Sequence, residues 1–119
     1  MTIIKSTNGN IFGGYTGAAW DCKGYISDTK SFIFSLINKS NSSFKAKCTD
    51  NQYAICGNSS YGPIFESSSD FLISSNSNAN KSSNSNFGHT FKNELYRESI
   101  LAGSYSFQTT EIEVFEKLN

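Results

Sequence analysis

Apolar and polar residues alternate along this chain in short runs broken by Gly, Asn and Ser, and no stretch sustains a helical period. Thr2-Ile3-Ile4-Lys5-Ser6-Thr7 and Asn10-Ile11-Phe12-Gly13-Gly14-Tyr15-Thr16 flank Asn8-Gly9. That pattern predicts a hairpin closed by a type I′ turn, because both turn residues tolerate positive φ. Gly13-Gly14 inside the second strand predicts a bulge, or another backbone passing close by. After Ala18-Ala19-Trp20-Asp21, a polar connection runs through Lys23-Gly24-Tyr25-Ile26-Ser27-Asp28. Ser31–Ile37 is short and strongly apolar, as a buried central strand would be. Phe44–Cys48 alternates as a half-exposed strand, and Tyr53–Cys56 is a further short one.

Beyond these, a turn carrying the only proline, Pro63, precedes a brief strand at Ile64-Phe65, and Asp70–Ser74 forms another. Ser75–Asn86 is almost entirely Ser and Asn; lacking apolar surface to bury, it reads as a long surface loop or a mobile one. Phe87–Phe91 re-enters the core. Ala102–Phe107 and Glu111–Glu116 read as a last hairpin across Gln108-Thr109-Thr110, with Ile112 and Val114 on one face and the glutamates on the other. Phe115 breaks that alternation and is expected to cover an edge. Short strands and frequent turns predict a mainly β fold, an antiparallel two-sheet β-sandwich with little helix.

Composition narrows the functions. A chain of 119 residues fits one domain, spanning 1–119, and its ten Phe and six Tyr suffice to fill a two-sheet core. The formal net charge is zero and no basic stripe occurs, which argues against nucleic-acid binding. No apolar run reaches the roughly 20 residues of a membrane span. Met1–Ser6 lacks the charged and apolar regions of a signal peptide, so a cytoplasmic location is expected. Cys22, Cys48 and Cys56 are odd in number with no C-x-x-C spacing, and His89 is distant; reduced, mostly buried thiols are expected rather than disulfides or zinc. One redox-sensing thiol is the sharper alternative. Asn38, Asn41, Asn58 and Asn80 open N-x-S/T triplets that an Asn- and Ser-rich chain produces by chance.

Candidate chemistry is sparse. His89 is the only imidazole, set between aromatics, and no G-x-S-x-G elbow, phosphate-cradling loop or dinucleotide fingerprint accompanies it. No catalytic site and no cofactor are expected. Asp21 and Asp28 lack the D-x-D-x-D-G spacing of a calcium loop, so no metal is expected. Glu111, Glu113 and Glu116 form either a solvated outer face or an acidic patch that meets a basic protein partner. Trp20 and Tyr15 belong to the core or form an exposed aromatic platform. Two other functions stay open beside protein binding: a carbohydrate-binding sandwich, and a hydrolase using His89.

One resemblance runs through the whole chain. Phe12-Gly13-Gly14-Tyr15-Thr16 followed by Trp20 resembles the FGGYT…W motif of the TLDc domain family. Its sequel appears as Asp28 and Phe32-Ile33-Phe34-Ser35-Leu36, then Gly62-Pro63-Ile64-Phe65, then Asp70-Phe71-Leu72-Ile73. Phe87-Gly88 after the Ser/Asn stretch, Leu101-Ala102-Gly103…Phe107 and Glu111–Phe115 complete the blocks in order. Two departures stand out. Such domains carry a further, partly helical stretch before this point, so the chain reads as a member without that N-terminal segment. Glu66-Ser67-Ser68-Ser69 replaces a glycine-rich turn. The resemblance implies a two-sheet β-sandwich, a role in protection against oxidative stress, and, in animals and fungi, binding to subunits of the vacuolar proton-pumping ATPase.

Overall fold

The computed structural model describes residues 1–17, 24–26, 30–39, 41, 43–47, 55–57, 61–65, 71–74, 76–85 and 100–115, with backbone alone at 24–26, 56, 57 and 61–64. Among these residues the regular structure is entirely β: eleven strands and no helix. One sheet contains β1 (Thr2–Ser6), β2 (Ile11–Tyr15), β4 (Phe32–Ile37), β5 (Phe44–Lys47) and β11 (Thr109–Val114), in the order β11-β1-β2-β4-β5. The second runs β10-β9-β8-β7, from β7 (Tyr61–Phe65), β8 (Phe71–Ser74), β9 (Ser83–Ser85) and β10 (Ser106–Phe107). A short pair joins β3 (Gly24–Ile26) to β6 (Ile55–Gly57). Every ladder is antiparallel, as the alternation predicts.

Register assigns the faces of the large sheet. Ile4 lies opposite Phe12, Phe12 opposite Ser35, and Ile33 opposite Ala46, so these residues share the inner face. Against them pack Phe65, Phe71, Ile73 and Phe107 of the second sheet, with Ile55 and Leu101. Phe12 is the hub. Its ring meets Phe71 edge-on at 5.5 Å and Phe107 edge-on at 5.6 Å, while Phe65 stacks on Phe71 at 4.8 Å. Edge-to-face contacts of this kind are worth about 0.5–1.5 kcal/mol beyond the area they bury. The aromatic interior expected of the sandwich is present.

The first hairpin forms, but with a different turn. Gly9 N–H donates to Ser6 O at 2.9 Å and Ser6 N–H donates to Asn10 O at 3.0 Å. Within Thr7-Asn8-Gly9 only Gly9 has positive φ, 86°, so a type I turn followed by a left-handed glycine replaces the type I′ turn. The longer loop lets side chains reach the 100–103 segment. Ser6 Oγ and Asn8 Nδ2 donate to Ala102 O, and Asn10 Nδ2 donates to Leu101 O at 3.1 Å. Gly103 takes φ 86° beside them, and a Cβ there would sit 3.1 Å from Asn8 Nδ2. The Leu101-Ala102-Gly103 block thus holds the hairpin loop.

Four other expectations change. Gly24–Ile26 forms β3 rather than part of a polar connection, paired to Ile55–Gly57. Pro63 lies inside β7, not in a preceding turn. The register slips between Tyr61 and Ile64, and this irregularity at an outer strand of its sheet accommodates a residue without an N–H. The segment 76–85 is not a simple surface loop. It turns at 76–79 and then forms β9, between β8 and β10, with Ser77, Ser83 and Ser85 buried. Finally, β10 and β11 are not a hairpin: the chain leaves one sheet at Phe107 and enters the other at Thr109. Gln108 is the crossing, held by Thr7 N–H donating to its carbonyl at 2.9 Å.

Serine can line an interior when its hydroxyl is fully partnered. Ser83 Oγ accepts from Ser74 N–H at 3.0 Å and lies 3.2 Å from Ser74 Oγ, which also donates to Asn80 Oδ1. Ser83→Ala leaves the buried Ser74 N–H without that acceptor and should destabilise the fold by about 1–3 kcal/mol. Replacing the exposed Ser82 with alanine should change stability by no more than about 0.5 kcal/mol. Thermal melts of the two variants check this, and equal melting temperatures would contradict it.

A candidate partner-binding edge at β11

Glu111 and Glu113, two of the glutamates singled out from the sequence, lie on β11, an outermost strand of the large sheet. Glu111 stands opposite Lys5 and Glu113 opposite Ile3, while Ile112 stands opposite Ile4 and Val114 opposite Thr2. The strand therefore splits as its alternation predicts, acids on the outer face and aliphatics on the inner. The aliphatics are left largely uncovered: Ile112 is 37% exposed and Val114 71%. Phe115, 50% exposed, is tied to Met1 at the end of the strand by Phe115 N–H donating to Met1 O and the Met1 amine donating to Phe115 O. Glu116 lies outside the described residues.

The outer face is polarised. Phe34 sits opposite Lys45, and Phe32 opposite Lys47, on β5 at the far side of the sheet. Tyr15 stacks on Phe32 at 5.3 Å, and the Lys45 ammonium lies 4.1 Å above the Phe32 ring centre. Tyr15 is half-buried in this row. Four strand spacings separate β5 from β11, about 19 Å, which exceeds the roughly 8 Å screening length at physiological salt. The β5 lysines therefore leave the acidic edge unneutralised. Lys5 offsets Glu111 alone; across from Glu113 stands an uncharged isoleucine.

Beside the start of β11 opens a cleft of about 390 Å³, lined by Asn76, Ser77, Asn78, Thr109, Thr110, Glu111 and Ile112. Asn76 adopts φ 56°, which asparagine tolerates better than most residues. The turn is fastened to the strand by Thr109 N–H donating to Ser77 O, Ser77 Oγ bonding Thr109 Oγ1 at 2.8 Å, and Gln108 Nε2 donating to Asn78 O. No sequence signal brings these two segments together, because residues 76–78 and 109–112 are distant along the chain.

Of the motif residues, Phe12, Phe34, Phe107, Gly13 and Gly14 are buried, while Phe32 packs between Tyr15 and Phe34. Gly62 and Pro63 lie at the β7 irregularity. Trp20, Asp21, Asp28, Asp70, Gly88, His89, Cys22, Cys48, Asn58 and the 66–69 substitution lie outside the described residues, as does the Cys56 side chain. Among the described residues no three His, Cys, Asp or Glu side chains gather as metal ligands, and no helix is long and apolar enough to cross a membrane. Asn38 is buried with its Nδ2 donating to Ser35 Oγ at 2.6 Å, and Asn80 Oδ1 accepts from Ser74 Oγ and Ser82 N–H. Both asparagines therefore have structural work inside the fold.

No curated protein matches this chain. The sequence model of the TLDc domain matches residues 1–117, and the chain accordingly belongs to the TLDc domain family, which is generally linked to oxidation resistance.

Proposed function

We propose that the chain is a non-catalytic protein-interaction domain that acts in oxidative-stress protection by binding a cytoplasmic protein assembly, with subunits of the vacuolar proton-pumping ATPase as the partner. The reading is supported by family membership and, above all, by the β11 edge, where exposed acids on one face alternate with exposed aliphatics on the other. An interface needs such a pairing: burying the aliphatics supplies affinity, and the charges supply orientation and partner choice.

Glu111→Lys/Glu113→Lys is the test. Both side chains are exposed, so the double variant should stay folded; the Glu111→Lys change sets a like charge opposite Lys5, at a cost of only about 0.2–1 kcal/mol. Purified vacuolar ATPase should co-sediment with the wild-type chain and lose at least tenfold in affinity for the variant. Cells relying on the variant should survive peroxide less well. No binding by the wild-type chain under any salt condition would defeat the proposed partner.

A further inference from the structure

We propose that the partner contributes an extended strand that pairs with the open edge of β11, and that this strand alternates Lys or Arg with aliphatic residues. The proposal deepens the protein-interaction reading and rests on it. Among the described residues β11 has a strand neighbour on one side only, β1. The reciprocal bonds between Met1 and Phe115 mark 1/115 as a hydrogen-bonded pair. Bonded and non-bonded pairs alternate in an antiparallel ladder, so Ile3/Glu113 and Lys5/Glu111 are bonded, and Thr2/Val114 and Ile4/Ile112 are not. The N–H and C=O groups of Ile112 and Val114 consequently point away from β1, toward the free edge.

An added strand would complete three things at once. Its backbone would pair with those four groups. Its residues opposite Ile112 and Val114 would share the inner face, where these side chains are already exposed beside the core. Its residues opposite Glu111 and Glu113 would share the acidic outer face, where a cation is favoured. The start of the edge is taken, since Thr109 N–H is bonded to Ser77 O. The 76–78 turn is therefore an end-stop, and the cleft beside it receives the end of the incoming strand.

A second copy of this chain is a poor occupant. Two β11 strands pairing antiparallel about a two-fold axis keep their faces, so odd residues meet odd ones. Centred on Ile112, the pairing sets Glu111 against Glu113 twice; centred on either glutamate, it sets that residue against its own copy. Like charges directly opposite are destabilising, and charge on an exposed edge is a common guard against self-association. In these registers the edge repels its own copy, whereas it accepts a basic strand.

The full chain, isotopically labelled, should be titrated with a blocked eight-residue peptide alternating Lys and Val. At saturation, amide exchange at Ile112 and Val114 should slow at least tenfold, while Glu111 and Glu113, already bonded to β1, change little. The same peptide N-methylated at alternate residues should bind at least tenfold more weakly. Ile112→Pro removes an outward N–H and no bond to β1, and should weaken binding comparably. Glu111→Lys/Glu113→Lys should switch preference to a Glu/Val peptide. Equal binding of the N-methylated peptide, Ile112 and Val114 amides already protected in the free chain, or dimerisation through β11 would each overturn the proposal. If the peptide fails while the ATPase still binds, edge pairing alone falls; if both fail, the interaction reading falls with it.

Discussion

Phe12→Ala should lower the unfolding free energy by about 3–5 kcal/mol, the usual range for emptying a buried aromatic site. Phe12 is fully buried and touches both sheets at once, meeting Phe71 and Phe107 edge-on from β2. Its removal therefore opens a cavity at the junction of the sandwich, where neither sheet can close the gap without moving away from its own ladder. Domains of this size have roughly 5–15 kcal/mol in total, so a fifth or more of the stability is at stake. Urea unfolding at a slope of about 2 kcal/mol/M would show the midpoint fall by about 1.5–2.5 M. Phe12→Leu refills most of the volume and forfeits the two ring contacts, for a loss of about 1–3 kcal/mol. Val114→Thr, at a position 71% exposed, serves as the control and should stay within about 0.5 kcal/mol of the wild type. Equal midpoints for Phe12→Ala and Val114→Thr would remove Phe12 from the centre of the core.

What the sequence reveals about this fold depends on whether a signal is local. Alternation at Glu111–Val114 fixes which side chains share a face, and the register agrees residue by residue. Alternation cannot say which sheet a strand joins, and so Phe107 and Thr109, which read as parts of one hairpin, lie in different sheets. Apolar content fails as a guide at Ser83 and Ser85, because burial there is sustained by hydroxyls bonding Ser74 and by the backbone, not by hydrophobicity. Asn8-Gly9 correctly marks a turn, but the type depends on Ala102, which accepts from Asn8 across more than ninety residues of chain. The acidic half of the candidate edge is legible for the same reason as the strand itself. Its uncovered aliphatics and the Asn76–Asn78 turn are not, since both arise from where the second sheet ends.

The paired glycines of β2 give a sharper test, because their neighbours differ in kind. The expected bulge is absent at Gly13-Gly14, which pair in regular register with Ile3 and Thr2; the irregularity falls earlier, between Ile11 and Phe12. Close approach is the reason for both residues. A Cβ on Gly14 would come within 2.6–2.8 Å of the Phe65 ring, which reaches across from β7. A Cβ on Gly13 would strike the Thr2 carbonyl oxygen on the neighbouring strand and come 2.8 Å from the Phe34 ring. Gly14→Ala should destabilise by about 1–3 kcal/mol through overpacking, and Gly13→Ala by at least as much. The difference lies in rescue. Phe65 is a side chain, so Phe65→Leu should recover part of the Gly14→Ala loss, with a coupling of about 0.5–3 kcal/mol in a double-mutant cycle. Thr2 O is backbone in the β1–β2 ladder, so Phe34→Leu should leave most of the Gly13→Ala loss in place. Additive behaviour at Gly14 and Phe65, or full recovery of Gly13→Ala by shrinking Phe34, would mean that the two sheets meet differently from the way Phe65 and Gly14 are placed.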